Sequence, residues 1–514
     1  MTVPALRLQT LVDLPVRPAG DHVLYWMTAN RRTSWNFALD RAIEHAAALH
    51  KPLIVLEALR VAHPWASDRF HAFVAQGMAD NARAFAAAGV AYHPYLEPEA
   101  GAGRGLMEAL ARNAAVVVAD DWPCFFLPHM LAAAAKKLAV LGVRLEAVDS
   151  NGLLPLRATG DQVFPTAYAF RRFLQKTLPA HLFHRPLAAP LTSTTVQSLP
   201  TVTLPVGVLD RWPAATDLSG SVSSLQAFPI DHTVGPVDVV GGEVAARACL
   251  QDFVARKLAR FAEDRSPPDL EGQSGLSPWL HWGQLSAHEV ADAVFRHEGF
   301  TPEKLSNKPT GSREGWWGLS TSAEGFLDQL VTWRELGFNF TSRRADYDEF
   351  TSLPPWAQTS LLAHMSDERP HTYTLQELDD AATHDPLWNA AMKQLKQQGF
   401  IHNYLRMLWG KKVLEWSADP RVAYANLIEL NNRYSIDGRD PNSTSGISWV
   451  FGRYDRPWGP TRPIYGVIRY MTSDNTMKKH ACKQYLLRWN GSSTAPGKSS
   501  LTTTKPTTAQ ARLL

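Results

Sequence analysis

Cysteine is scarce in this sequence. Three occur in 514 residues (Cys124, Cys249 and Cys482), far apart. That excludes a disulfide framework and any paired-cysteine metal or cluster site, and it fits a reducing compartment. No apolar run reaches the roughly 18 residues of a membrane span. The first 21 residues lack the basic start, apolar stretch and small-residue cleavage site of a secretory signal. No charge sign dominates: 52 Lys and Arg stand against 49 Asp and Glu, a net of +3. The total charge therefore points to no polyanionic partner, which leaves only a local patch to find. No G-x-G-x-x-G follows the first apolar run, so the dinucleotide fingerprint is missing. Gly101, Gly103 and Gly105 have the wrong spacing for it and read as a loop. No internal repeat and no metal-ligand cluster is visible.

What remains is ordinary globular composition, 45% hydrophobic and 20% charged. At roughly 100–200 residues per domain the length allows two to four domains. Residues 22 to about 150 alternate apolar runs (22–27, 52–59, 90–96, 115–120, 144–149) with Ala-rich amphipathic stretches such as Phe37–His50 and Ala132–Leu141. Continuous Val/Ile/Leu strands between helices predict a Rossmann-like parallel sheet covered on both faces. The α/β domain is expected over 1–186. Residues 187–240, rich in Pro, Ser, Thr and Gly, read as an interdomain linker laid over the surface. From 241 to 490 the pattern is helical, with candidates at 245–261, 278–296, 324–340, 375–382, 386–398, 400–416 and 420–432. Ile436–Gly446 reads as a Gly- and Asp-rich loop, and 304–315 as a polar, exposed insertion. The tail, 491–514, is expected to be disordered. The expected architecture is an N-terminal α/β domain, a linker, and a larger all-α C-terminal domain.

Tryptophan is abundant instead, with 17 in the chain. Five segments carry candidate chemistry. In SGLSPWLHWGQLS (274–286), small residues and hydroxyls precede Pro278, a favoured first helical residue. This is either a plain helix cap or a phosphate site at a helix start. In FLDQLVTWRELGFNF (326–340), Gln329 and Trp333 are one turn apart on a shared face, with a core helix as the plainer reading. In 385–416, Gly399 ends one helix and links tightly to the next. Trp388 lies 11 residues before it and Trp409 ten after. Antiparallel helices would bring those indoles level, with Trp416 roughly 10 Å further along. Such a row passes an electron stepwise, or is simply aromatic core. In 430–449, a loop with Asp437 and Asp440 precedes Trp449, and Arg406 can pair with Asp437. The alternative is a turn-rich connector. Residues 451–490 hold eight Lys/Arg against two acids, with aromatics between them. That is a nucleic-acid signature or a solvated helix face.

Together these segments resemble the photolyase/cryptochrome flavoproteins, and within them the class II cyclobutane pyrimidine dimer (CPD) DNA photolyases. SGLSPWLHWGQLS, VTWREL, HNYLRMLWGKKVLEW, IDGRDPN and RPIYGVIRYM are similar to that class in order and spacing, and the resemblance runs from about Val23 to Trp489. It implies FAD in the helical domain and an antenna chromophore, of deazaflavin or folate type, in the α/β domain. It implies a lyase that uses light and reduced FAD to split pyrimidine dimers flipped out of damaged DNA, acting as a monomer. The compartment implied is the cytoplasm or nucleoid in a bacterium and the nucleus in a eukaryote. A cryptochrome-type photoreceptor without repair activity is the alternative the resemblance leaves.

The resemblance also implies residue roles. Ser274, Gly275, Leu276 and Ser277 would meet the FAD phosphates. Arg334 and Asn339 resemble flavin-pocket residues, as does Asp440 of the IDGRDPN loop. Arg406 with Asp437 is similar to the family's salt bridge beside the flavin ring, and Asn431 matches the amide facing flavin N5. Trp409, Trp388 and Trp416 match the class II photoreduction chain, and Ile447 stands where other classes carry a Trp. Trp333 and Trp449 resemble the two walls around a flipped dimer. Met407 matches CPD enzymes, since enzymes for (6-4) photoproducts place histidines here. Arg453 and Arg456 are expected DNA contacts. One departure stands out: CPD enzymes of the family carry Glu where this chain has Gln329.

Overall fold

The computed structural model describes residues 3–204 and 206–491. Of the expected disordered tail, all but Gly491 lies outside these residues.

Six strands form one sheet: β1 (Leu8–Val12), β2 (His22–Met27), β3 (Leu53–Leu59), β4 (Ala91–Leu96), β5 (Ala114–Asp120) and β6 (Leu145–Val148), in the order β1-β6-β5-β2-β3-β4. All pairs are parallel except β1 with β6. The five expected strands are present. β1 escapes sequence reading because LQTLV is half exposed and only weakly apolar. Side chains alternate between two buried faces. Val23, Tyr25 and Met27 meet Phe37, Leu39 and Ile43 of helix Phe37–Leu49. Leu24 and Trp26 meet Leu106, Leu110 and Leu138 on the other side. Both faces exclude water, so the strands read as unbroken apolar runs.

The chain order reverses between β5 and β2, which opens a crevice at their C-terminal ends. There the Asp120 carboxylate accepts from the amides of Thr28, Ala29 and Asn30 at 2.8, 2.8 and 2.9 Å, and from the Tyr25 hydroxyl at 2.8 Å. Amides that hold a phosphate in a dinucleotide fold are taken by the protein's own carboxylate. The 101–105 glycine loop wraps Glu97, whose Oε1 accepts from Gly101 and Gly103.

The 187–240 segment contains short helical turns, among them Thr194–Gln197, Val206–Arg211 and Val222–Leu225, where the sequence showed no helical period. Each is too short to display one. Single buried anchors such as Trp212 and Leu225 pin the segment down. Helix Ala167–Thr177, although it precedes residue 187, puts Phe170 and Leu174 into one apolar cluster with Leu250, Phe253 and Val331.

The rest is helical. The expected 278–296 helix is two, Ser277–His281 and Ala287–His297. Gly283 between them has φ +70°, and a Cβ there would lie 1.9 Å from the Ala29 carbonyl oxygen, so only glycine lets the two regions close. Ile436–Gly446 is not all loop: Pro441–Val450 is a helix. Its Ser, Thr and Gly content hides it, but Asp440 caps it and Pro441 starts it. Gly337 lets it pack against helix Arg334–Arg343 at backbone contact.

Candidate active site

Three elements converge on one polar cluster: helix Asn403–Trp416, helix Pro420–Tyr434, and the 435–440 loop that leads into Pro441–Val450. Arg406 Nη2 donates to Asp437 Oδ1 at 2.8 Å, to Asn431 Oδ1 at 2.9 Å and to Ser435 Oγ at 2.7 Å. Ser435 Oγ donates to Asp437 Oδ1 at 2.5 Å. Asn431 Nδ2 donates to Ser443 Oγ and Asn432 Oδ1, so both of its amide atoms are held by protein. Burial alone would push the Asp437 carboxyl up. Arg406, with the hydroxyls of Ser435 and Ser277, holds it well below the usual range instead. The cluster carries a permanent ion pair at neutral pH.

Ser277 thus brings the 274–277 segment near this cluster. Ser274 is half-buried, Gly275 and Ser277 are exposed, and Gly275 has φ +71°. The Leu276 side chain is core, which leaves only its backbone to face a ligand. Asp440 departs from its expected ligand role. Its Oδ1 caps Asn442 N at 2.8 Å and its Oδ2 lies 3.3 Å from Nδ1 of His281. Burial lowers the pKa of His281 despite Asp440. Asn339 spends its amide on Phe164 N and the Gln162 carbonyl, and Arg334 Nη1 donates to the Asn151 carbonyl at 2.6 Å. These two hold the 151–164 segment against the helix. Sequence reading missed His281, Ser435, Asn432 and Ser443. Only His281 had a signal, one turn after Ser277.

The three indoles meet. Trp388 and Trp409 lie near-parallel with ring centroids 6.4 Å apart, and Trp388 meets Trp416 edge-on at 5.4 Å. Trp388 Nε1 donates to the Trp409 carbonyl at 3.0 Å, which fixes the pair. All three are at most 2% exposed. Trp416 then meets Tyr373 at 5.2 Å, nearer the surface. Oxidisable rings with centroids this close can pass an electron stepwise, and the row ends at Trp409, one turn from Arg406.

Gln329 and Trp333 lie in a π-helical turn, Asp328–Trp333, set within an otherwise α-helical run. Such turns recur at functional sites, where they re-aim side chains. Gln329, Trp333, Met407 and Trp449 are all half-buried, and a Cβ at Gly325 or Gly446 would meet open space. Trp449 has Lys411 Nζ at 5.1 Å and Arg469 at 5.9 Å from its ring centroid. Arg469 and Arg456 both lie over Trp458, at 5.1 and 5.3 Å, and Trp458 is 39% exposed. Arg456 is thus on an exposed cationic–aromatic surface. Arg453 is not: it is buried, 3.7 Å over the Phe340 ring, with Nη1 on the Ser352 carbonyl. Arg456→Ala is expected to weaken DNA binding and flatten its salt dependence, by about 0.9 in log–log slope for each phosphate no longer neutralised. Arg453→Ala is expected to lower stability and leave that slope unchanged. Binding titrations across salt concentrations check both.

A cavity of about 440 Å³ opens at the β5/β2 crevice, lined by Trp26, Tyr95, Trp122, Phe125, Phe126 and Trp282, with Arg60, Arg104 and Arg439 at its walls.

Residues 23–192 match a family profile described as DNA photolyase. The chain is also 32% identical to the deoxyribodipyrimidine photo-lyase of Methanothermobacter thermautotrophicus, over 92% of this chain and 95% of the relative. The chain belongs to the DNA photolyase family. Among solved structures, a class III photolyase from Agrobacterium tumefaciens is similar in fold, with a TM-score of 0.66 at 18% identity, covering 91% of this chain and 86% of the other. A Synechocystis cryptochrome matches as well, with a TM-score of 0.66 at 16% identity over 91% and 88%. The photolyase fold accounts for both the six-stranded sheet and the helical region.

Membership implies a lyase with FAD. The residues present fit that cofactor: the Gln273 Nε2 donor is buried without a partner among the described residues, in the segment that carries Ser274 and Ser277. The Arg406–Asp437 pair offers both a cation and a carboxylate. Among the described residues no helix is long and apolar enough to cross a membrane, and no cluster of metal ligands occurs.

Proposed function

We propose that this photolyase-family chain repairs cyclobutane pyrimidine dimers in DNA by the class II route. The observation that carries the reading is the buried row Trp409–Trp388–Trp416, which starts one turn from the Arg406–Asp437 pair. Bound FAD supplies light-driven electron transfer to the dimer. Ser274, Ser277 and Gln273 would hold its diphosphate, while Arg406 and Asp437 fix the charge beside its ring and Asn431 presents a neutral amide. Trp333 and Trp449 bracket the flipped dimer, and Met407 keeps that chamber free of a titrating histidine. Arg456 and Trp458 engage the DNA around the gap. The chain works as a monomer.

The 440 Å³ cavity is suited to a planar antenna chromophore of deazaflavin or folate type. Its aromatic walls would stack such a ring, and its floor amides, already bound by Asp120, disfavour a nucleotide phosphate.

The decisive experiment is repair of a dimer-bearing oligonucleotide by the purified chain under blue light, beside a dark control. No light-dependent loss of dimers would overturn the repair reading in favour of a photoreceptor.

Gln329 bears on efficiency. Its amide can hydrogen-bond a dimer carbonyl but cannot deliver a proton, so unproductive electron return goes unopposed. Gln329→Glu is expected to raise repair per absorbed photon and to change dimer affinity by less than about 1 kcal/mol, the net value of one hydrogen bond. Repair yield per photon with fully reduced enzyme and saturating substrate tests this, and an unchanged or lower yield would show that the carboxyl is not needed.

A further inference from the structure

The indoles of this protein fall into two electrostatic sets. Trp449 has two cations within 6 Å of its ring centroid, Lys411 at 5.1 Å and Arg469 at 5.9 Å. Trp388 and Trp409 have none among the described residues. Trp416 has Lys412 at 5.6 Å, but Lys412 is neutralised by Glu415 at 3.0 Å. Lys411 has no such relief: among the described residues no carboxylate lies within ion-pair distance, although the side chain is buried. Its ammonium donates to the Val450 carbonyl at the end of the helix that carries Trp449. Gly410 makes this reach possible, because a Cβ there would lie 2.6 Å from Val450 Cγ2. A buried, unpaired ammonium is costly, and among the described residues the polar group that meets it is one carbonyl. The indole face takes the rest of its field.

We propose that Lys411, with Arg469, keeps Trp449 from being oxidised, so that electrons enter the site through Trp409 and are not drawn from the substrate wall. Removing an electron from an indole creates a positive charge on the ring. A cation over the face opposes that charge in a low-dielectric interior far more than it would in water. Both Trp449 and Trp409 belong to the site assigned above, and the proposal rests on that assignment for its purpose. Its physics rests only on the distances. The groups facing Lys411 are Asp455, which favours its charge, and Arg469, which opposes it, while Lys412 and Glu415 on its own helix form their own pair. Burial lowers the Lys411 pKa to about 7. The protection should therefore be strong below that pH and fade above it.

The test treats the holoprotein in the dark with azide radical, a small neutral one-electron oxidant, and maps oxidised tryptophans by peptide mass spectrometry. In the native protein Trp449 should be oxidised several-fold less at pH 6 than at pH 8.5. Lys411→Met should raise Trp449 oxidation several-fold at pH 6 and abolish that pH dependence, while Trp458 oxidation stays unchanged. Lys411→Arg should stay protected at both pH values, which separates loss of charge from loss of packing. Equal Trp449 oxidation in the native and Met variants, or exposure in the Arg variant as well, would overturn the proposal. Because no light is used, failure of repair or of flavin photoreduction would not mimic either result.

Discussion

Trp409→Phe should nearly abolish photoreduction of oxidised FAD while leaving repair by chemically pre-reduced enzyme largely intact. The row passes electrons only if each ring is close to the next, and Trp409 is the link between Trp388 and the Arg406 cluster. Phe keeps the packing but is far harder to oxidise. Trp388→Phe should act in the same direction and more weakly. On the proposed route, repair draws on electron transfer to the dimer and does not need the row. Illumination with an external reductant, followed by flavin absorbance, gives the first quantity, and dimer loss after dithionite reduction gives the second. A normal photoreduction rate in Trp409→Phe would remove the row from the mechanism.

Arg406→Leu should be the most destabilising change in the polar cluster, by about 3 kcal/mol. The Asp437 side chain is 12% exposed and that of Arg406 28%, so solvent screens the pair only partly. Leu leaves a buried carboxylate without its cation. The pH dependence should change sign. In the native protein Asp437 is held below its unfolded value near 3.9. Its contribution is therefore present above about pH 4 and lost as pH falls through the lower folded value. Without Arg406, burial dominates and raises the carboxyl, so the variant should gain stability relative to the native protein as pH drops from 7 towards 5. Asp437→Asn added to Arg406→Leu should recover part of the loss. Urea unfolding at several pH values, with flavin release as a second probe, measures all three. A loss below about 1 kcal/mol in Arg406→Leu would mean that the ion pair is not what holds the loop.

Five of the six strands, the Gly399 link and the Trp388–Trp409 alignment were legible in the sequence, because each follows from a local rule. Fully buried parallel strands must be continuously apolar, a left-handed residue after a helix favours glycine, and antiparallel helices about a known turn set which residues lie level. The Arg406–Asp437 pair was legible through the resemblance, because the HNYLRML and IDGRDPN segments are similar to those that carry the family's salt bridge. What tertiary structure alone decided concerns side chains that have a choice of partner. Asn339 and Asp440 read as ligand groups, but one bridges to Gln162 and Phe164 while the other caps a helix and meets His281. Arg453 read as a DNA contact, but its guanidinium stacks on Phe340 inside the protein while Arg456, three residues on, stays outside. Local sequence names a donor or a charge; which carbonyl, ring or carboxylate lies within 3 to 4 Å of it is set by segments a hundred or more residues away. The cavity at the β5/β2 crevice and the lysine over Trp449 are of the same kind, because they exist only where separate elements close on one another.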